Sequence, residues 1–144
     1  MEKTFFDTSV LVSAMVKSHP AHNRTYPYFE RVFNGKEKGY ISTHCIAELY
    51  AVLSVLPIKP KLSPIEAEKI LQKNIYPKFE IIQLTPKDYK NAVSGVTELH
   101  LSGGILYDAL HLEAAIKCGA KKLITLNHEH FEKLSSGKIK ILGV

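Results

Sequence analysis

The sequence predicts an α/β domain with a mainly parallel five-stranded sheet. Short aromatic or β-branched runs alternate with longer segments of helical periodicity along the whole chain. The helical segments open on Ser, Thr or Pro and tend to close on Gly or Pro. The 144 residues, 45% hydrophobic and 23% charged, have the size and balance of one compact domain, 1–144, without internal repeats.

Thr4-Phe5-Phe6 reads as a short strand, and the hydroxyls of Thr8 and Ser9 can cap a helix running to about Lys17. A second helix spans about residues 21–33, and Asn34-Gly35 opens a charged loop ending at Gly39. Tyr40-Ile41-Ser42 is a buried strand, with Thr43 as the cap of a helix to Leu56 that Pro57 closes. Ser63-Pro64-Ile65-Glu66 is a capping box with Pro at the first helical position, opening a helix to about Ile75. Phe79 to Leu84 is strand-like. Thr85-Pro86-Lys87-Asp88 repeats the cap logic, with Asp88 in the first turn of a helix to about His100. Ser102-Gly103-Gly104 breaks the chain before an apolar helix from Ile105 to Cys118, ended by Gly119 in a left-handed conformation. Lys121 to Leu126 is a strand, His128 to Leu134 a short helix and Ile139 to Leu142 the last strand.

The longest nearly apolar runs, Val10 to Val16 and Ile46 to Leu56, fall short of the roughly 18 residues of a membrane helix. The N-terminus meets Asp7 too early for a signal peptide, so a cytoplasmic protein is expected. Cys45 and Cys118 lie in apolar helical patterns and read as free thiols. The 19 Lys and Arg against 14 Asp and Glu give a net charge of +5, which makes nucleic acid a candidate partner. That excess is scattered lysine, with only Arg24 and Arg31 as arginines.

Among the acids, eleven are Glu and only three are Asp: Asp7, Asp88 and Asp108. Ligands of a parallel α/β sheet bind beyond the carboxyl ends of its strands. Asp7 holds that position after the first strand, and Asn127 holds it after Leu123-Ile124-Thr125-Leu126; as neighbours on adjacent strands the two would share one site, and each could alternatively cap a helix. Glu48 sits in the apolar stretch Cys45-Ile46-Ala47-Glu48-Leu49-Tyr50, where an unpaired carboxylate is costly and His44, one turn back, could compensate it. Asp108 starts another apolar helix, with His111 one turn on. Two carboxylates about 4 Å apart repel by several kcal/mol at an effective dielectric of about 20, so convergent acids need protons, basic side chains or a cation. Oxygen ligands without a Cys or His cage suit Mg²⁺ or Mn²⁺. Such a site on a basic protein suits phosphodiester hydrolysis, with Lys and Arg near the cleft holding the backbone.

These residues resemble a PIN domain, the metal-dependent ribonuclease fold of VapC-type toxins. The resemblance lies in Phe6-Asp7-Thr8-Ser9-Val10-Leu11-Val12, Ala47-Glu48-Leu49, Tyr107-Asp108-Ala109-Leu110-His111-Leu112-Glu113-Ala114-Ala115, and Gly119-Ala120 leading to Leu123-Ile124-Thr125-Leu126-Asn127 and His130-Phe131. It covers nearly the whole chain and implies the three-layer α/β/α form of the fold. It also implies Asp7, Glu48 and Asp108 as Mg²⁺ or Mn²⁺ ligands and Thr8 or Ser9 as a hydroxyl near the metal. Asn127 stands where many members carry a fourth Asp, which removes one negative charge and leaves Asn127 a supporting role. A homodimer and a small VapB-like antitoxin covering the pocket are implied too, in a type II toxin–antitoxin pair with RNA as substrate.

Other readings compete. A haloacid-dehalogenase-type phosphatase requires a second acid where Ser9 stands, and a dinucleotide fold requires a Gly-rich turn that Asp7-Thr8-Ser9-Val10 lacks. His128 and His130 read as a solvated face, and His44 with Glu48 as half a zinc motif without the remaining ligands. A PIN-like scaffold that binds RNA or protein without cutting and a processing nuclease that is not a toxin are the alternatives to the toxin reading.

Overall fold

Adjacent residues of a strand point to opposite faces of a sheet, and this chain carries apolar side chains on both. Phe6, Ile41 and Ile124 enter one buried cluster, while their neighbours Phe5, Tyr40 and Leu123 enter another. Both faces therefore need helical cover, and a parallel sheet buried on both sides results. The computed structural model describes residues 1–144.

The elements follow as β1 (Lys3–Phe6), α1 (Thr8–Met15), α2 (His22–Phe33), β2 (Lys38–Ser42), α3 (Thr43–Leu53), α4 (Pro64–Ile70), β3 (Phe79–Ile82), α5 (Pro86–Glu98), α6 (Ile105–Lys117), β4 (Lys122–Thr125), α7 (His128–Ser135) and β5 (Lys140–Gly143). All four strand pairs are parallel, in the order β3-β2-β1-β4-β5. The expected sheet and helices are thus present. Helices α1 to α4 pack on the face of Phe6, and α5, α6 and α7 on the face of Phe5. The helix opened by Ser63 continues past α4 as a π-helical turn, Leu71–Ile75.

Local chemistry explains most boundaries. Ser63 with Glu66 and Thr85 with Asp88 each form the reciprocal capping box, and Gly119 closes α6 at φ +70°. Four details differ from expectation, the first being that α3 ends at Leu53 with Ser54 as its C-cap, not at Leu56 against Pro57. Ser42, not Thr43, caps α3: its Oγ accepts from Cys45 N–H at 3.2 Å, whereas Thr43 Oγ1 accepts from Leu84 N–H at 3.2 Å. That second bond belongs to the chain leaving β3, which ends at Ile82 rather than Leu84. Thr8 and Ser9 do not cap α1; their hydroxyls point to acids instead. Both cysteines are free, as expected.

Candidate active site

Strands β1 and β4 are neighbours, paired Phe6 to Ile124, so the residues that follow them emerge side by side at the carboxyl edge. Asp7 N–H donates to Ile124 O at 3.0 Å, which fixes the backbone there. The Asp7 side chain, 3% exposed, makes no cap bond to α1. Its Oδ2 instead accepts from Ser9 Oγ and from Thr125 Oγ1, both at 2.8 Å. Thr125 Oγ1 in turn accepts from Asn127 N–H at 2.8 Å. One carboxylate oxygen is thereby fixed by two hydroxyls, while Oδ1 accepts no hydrogen bond and lies 3.9 Å from His111 Nε2.

Glu48 reaches the same region from α3. His111 Nε2 and Thr8 Oγ1 both bond its Oε1, the latter at 3.2 Å. His111 is fully buried, and its Nδ1 lies 2.9 Å from Ser42 Oγ. Because Glu48 can only accept as a carboxylate, the proton of that contact belongs on Nε2. In the neutral imidazole Nδ1 then accepts from the Ser42 hydroxyl, whose oxygen takes Cys45 N–H. The chain of donors from Cys45 through Ser42 and His111 ends on Glu48 with every member satisfied. Burial works to raise the Glu48 pKa, but His111, foremost by its hydrogen bond, then His44 and the Thr8 hydroxyl outweigh it and hold the group below its ordinary value. His44 is a lesser partner, 3.6 Å from Glu48 and stacked on Tyr107 at 4.9 Å between ring centroids. Burial lowers the His44 pKa despite the pull of Glu48.

Asp108 approaches from the first turn of α6. Its Oδ2 lies 2.9 Å from His130 Nδ1 of α7, not against His111 of its own helix. Burial pushes its carboxyl above the ordinary range; His130 opposes the rise and the charge of Asp7 adds to it. Asn127 occupies the N-cap position of α7, yet its side chain forms no cap bond, so the expected alternative of simple helix capping does not hold.

Asp7, Thr8, Ser9, Glu48, Asp108 and Asn127, all six residues singled out in the sequence, line one cleft of about 320 Å³. Its remaining walls are Val12, His19, Val52, Leu56 and Leu126. Neither Lys nor Arg lines it. The three acids are turned to separate partners, and no three His, Cys, Asp or Glu side chains close on one point. The donor set nevertheless suits a hard divalent ion: two carboxylates from one strand end and one helix start, a third held by an imidazole, and a half-buried Asp108 with no Lys or Arg against it, only the His130 imidazole.

Residues 4–136 match the family described as PIN domain. The chain belongs to the PIN-domain family. It is 27% identical over 109 residues to Ribonuclease VapC27 of Mycobacterium tuberculosis, covering 76% of this chain and 74% of the relative. Among solved structures, the toxin–antitoxin complex VapBC2 of Rickettsia felis bound to a promoter DNA fragment superposes with a TM-score of 0.65 at 21% identity, over 99% of this chain and 98% of that one. FitAcB of Neisseria gonorrhoeae superposes with a TM-score of 0.69 at 14% identity, over 97% and 96%.

In this PIN domain the residues that sequence reasoning passed over are those that hold the acids. His111 was legible only as a neighbour of Asp108, three positions away; the fold turns it to Glu48, 63 positions away. Thr125, inside a strand, gave no signal until β1 and β4 were paired. His130 is half exposed, as a solvated face would be, but its Nδ1 meets Asp108; His128 does face solvent, beside Glu132 at 3.2 Å.

Proposed function

We propose that this PIN domain is a Mg²⁺- or Mn²⁺-dependent endoribonuclease and the toxin of a VapBC-like pair. The observation that carries the reading is the convergence of Asp7, Glu48 and Asp108, with Asn127, in one cleft at the carboxyl edge of the sheet. The 27% identity to Ribonuclease VapC27 supports RNA as the substrate class.

Asp7, Glu48 and Asp108 would hold the metal. A divalent ion bound there supplies a water of lowered pKa and neutralises charge developing on the phosphate. The chain's own residues set the stage. Ser9 and Thr125 hold Asp7 Oδ2 in place, leaving Oδ1 for a ligand. His111 and Thr8 keep Glu48 ionised and aimed. His130 holds Asp108 in place at the start of α6, and Asp108 would be one of the ligands of the ion. The Asn127 amide, uncommitted at its N-cap, can orient water or a phosphate oxygen. The neutral amide gives this cleft one negative charge fewer than a fourth Asp would, which favours a single tightly bound ion.

A small antitoxin covering this cleft, a homodimer and residence in the cytoplasm complete the proposal. The complexes formed by VapBC2 and FitAcB support the first of these. The chain has no helix long and apolar enough to cross a membrane.

The test is Mn²⁺-dependent cleavage of a structured RNA pool, which should disappear on chelation and in Asp7→Asn or Asp108→Asn. Cleavage that survives either change overturns the assignment. Calorimetry showing no Mn²⁺ binding to the wild type would favour a binding scaffold over an enzyme.

A further inference from the structure

No Lys or Arg lines the cleft, so the place where the positive excess of the chain gathers has to be sought over the rest of the surface. It gathers at the opposite edge of the sheet. Four strands begin with lysine, Lys38 of β2, Lys3 of β1, Lys122 of β4 and Lys140 of β5, and Lys78 immediately precedes β3. Lys121 joins the row, its N–H bonded to Lys3 O. Taken in strand order, the row crosses the whole sheet, about 19 Å at the usual strand spacing of about 4.8 Å.

Register makes this more than a tally of surface lysines. Lys3 lies directly opposite Lys38, and Lys122 directly opposite Lys140. Like charges in directly opposed positions destabilise a sheet, and here two ladders carry them at the same end. Acids nearby offset only one of the four, Lys122. Glu37 is buried, bonded to Arg31 Nε at 2.9 Å and Thr4 Oγ1 at 3.0 Å. It and Glu2 approach only Lys122, at 4.0 and 3.6 Å. Lys38, Lys121 and Lys140 are exposed with no carboxylate at ion-pair distance. Two open hollows flank the row, one of about 430 Å³ beside Lys38 and Lys78 and one of about 800 Å³ framed by Lys3, Lys121, Lys122 and Lys140.

We propose that this amino edge is a second nucleic-acid surface, a lysine row that holds the phosphate backbone of an RNA strand whose cleavage takes place at the carboxyl edge. The identity of the polyanion as RNA rests on the ribonuclease reading of the cleft. The row is too long and open for a small phosphate compound. It is also poor in the aromatic anchors that a protein partner requires: the larger hollow has Met1 as its one apolar wall, and the single aromatic ring of the smaller, Phe33, already carries Lys78 Nζ at 4.4 Å from its centroid. Strands of four residues separate the two edges by about 13 Å, within the span of a folded RNA.

The experiment compares the wild type with a Lys38→Gln/Lys121→Gln/Lys140→Gln variant and with a charge-matched control, Lys61→Gln/Lys87→Gln/Lys90→Gln. Binding of a fluorescein-labelled 20-nucleotide oligouridylate is followed by anisotropy in EDTA across a salt series. Each lost phosphate contact should reduce the slope of log K against log salt by about 0.7, so about 2 for the triple variant, with affinity at low salt down at least tenfold. The control should keep the wild-type slope. On the 20-mer with Mn²⁺, the triple variant should show a raised KM and an unchanged kcat, with a melting temperature no lower than that of the wild type. An unchanged slope, an equal loss in the control, no RNA binding by the wild type, or tighter binding of duplex DNA through the same lysines each overturns the proposal. Absence of Mn²⁺-dependent cleavage by the wild type would overturn the ribonuclease reading instead, and leaves the slope comparison to decide the surface on its own.

Discussion

At the carboxyl end of the sheet, Asp7, Glu48 and Asp108 lie buried or half-buried, each with a hydroxyl or an imidazole against it. At the amino end, Lys38, Lys121 and Lys140 lie in water with no carboxylate in reach. The difference follows from solvation. A carboxylate withdrawn from water is tolerated only with partners that replace its hydration, so the fold supplies Ser9, Thr125, Thr8, His111 and His130 at defined distances. An exposed ammonium keeps its hydration and needs no built partner, only a position. One end therefore depends on several side chains far apart in sequence, the other on where strands begin.

Removing the buried partner should break the carboxyl end most severely. His111→Leu takes the donor from Glu48 and the acceptor from Ser42, and Mn²⁺ affinity measured by calorimetry should fall about 10- to 100-fold. The variant should also lose about 1–3 kcal/mol of stability from the groups left unpaired. His111→Gln, which still offers an N–H to Glu48, should recover part of the affinity. RNA binding in EDTA should be unaffected by either change, because the lysine row is untouched.

A smaller effect is expected at the amino end. A Cβ on Gly39 would stand 2.6 Å from the Phe79 ring and 2.7 Å from Val32 Cγ1, so Gly39→Ala overpacks the sheet. The cost should be about 1–3 kcal/mol, read as a lowered melting temperature, with kcat at low temperature retained because the cleft lies at the other end.

The smallest expected effect concerns Asp88, an acid at the carboxyl end that serves the fold alone. The Thr85 N–H, then Lys117 at 2.9 Å, hold its carboxyl below the ordinary range. A depressed folded-state pKa gives stability that is present above the unfolded value near 4 and is lost as pH falls through the folded one. Asp88→Ala should therefore melt below the wild type at pH 6, and the gap should close as the pH is taken below about 4. A gap that persists in acid would mean that the carboxylate charge is not what Asp88 contributes.

Much of this was legible in the residues. Asp88 announced its role because a capping box is a local pattern, complete within four positions. Asp7, Glu48 and Asp108 stood out because acids among apolar neighbours are costly wherever the chain goes. Their partners did not stand out, since Thr125 and His111 acquire meaning only when β1 meets β4 and α6 meets α3. Ser42 was passed over for Thr43 because adjacent hydroxyls look alike until Leu84 N–H claims one of them. The lysines read as scattered for the same reason: they are far apart in the chain, and parallel register brings them into a row.

The bond from Thr125 to Asp7 joins residues 118 positions apart, and the bond between His130 and Asp108 lies later still in the chain. Asp7 thus leaves the ribosome 118 residues ahead of Thr125 and waits for that whole stretch before its oxygen is fixed. A nascent chain that has not yet released β4 has neither the neighbouring strand nor the hydroxyl that completes the cleft. Non-local parallel pairing of this kind also forms slowly. If the cleft cuts RNA, the machinery that makes the protein is shielded from it until β4 has been made, by the order in which the strands are written.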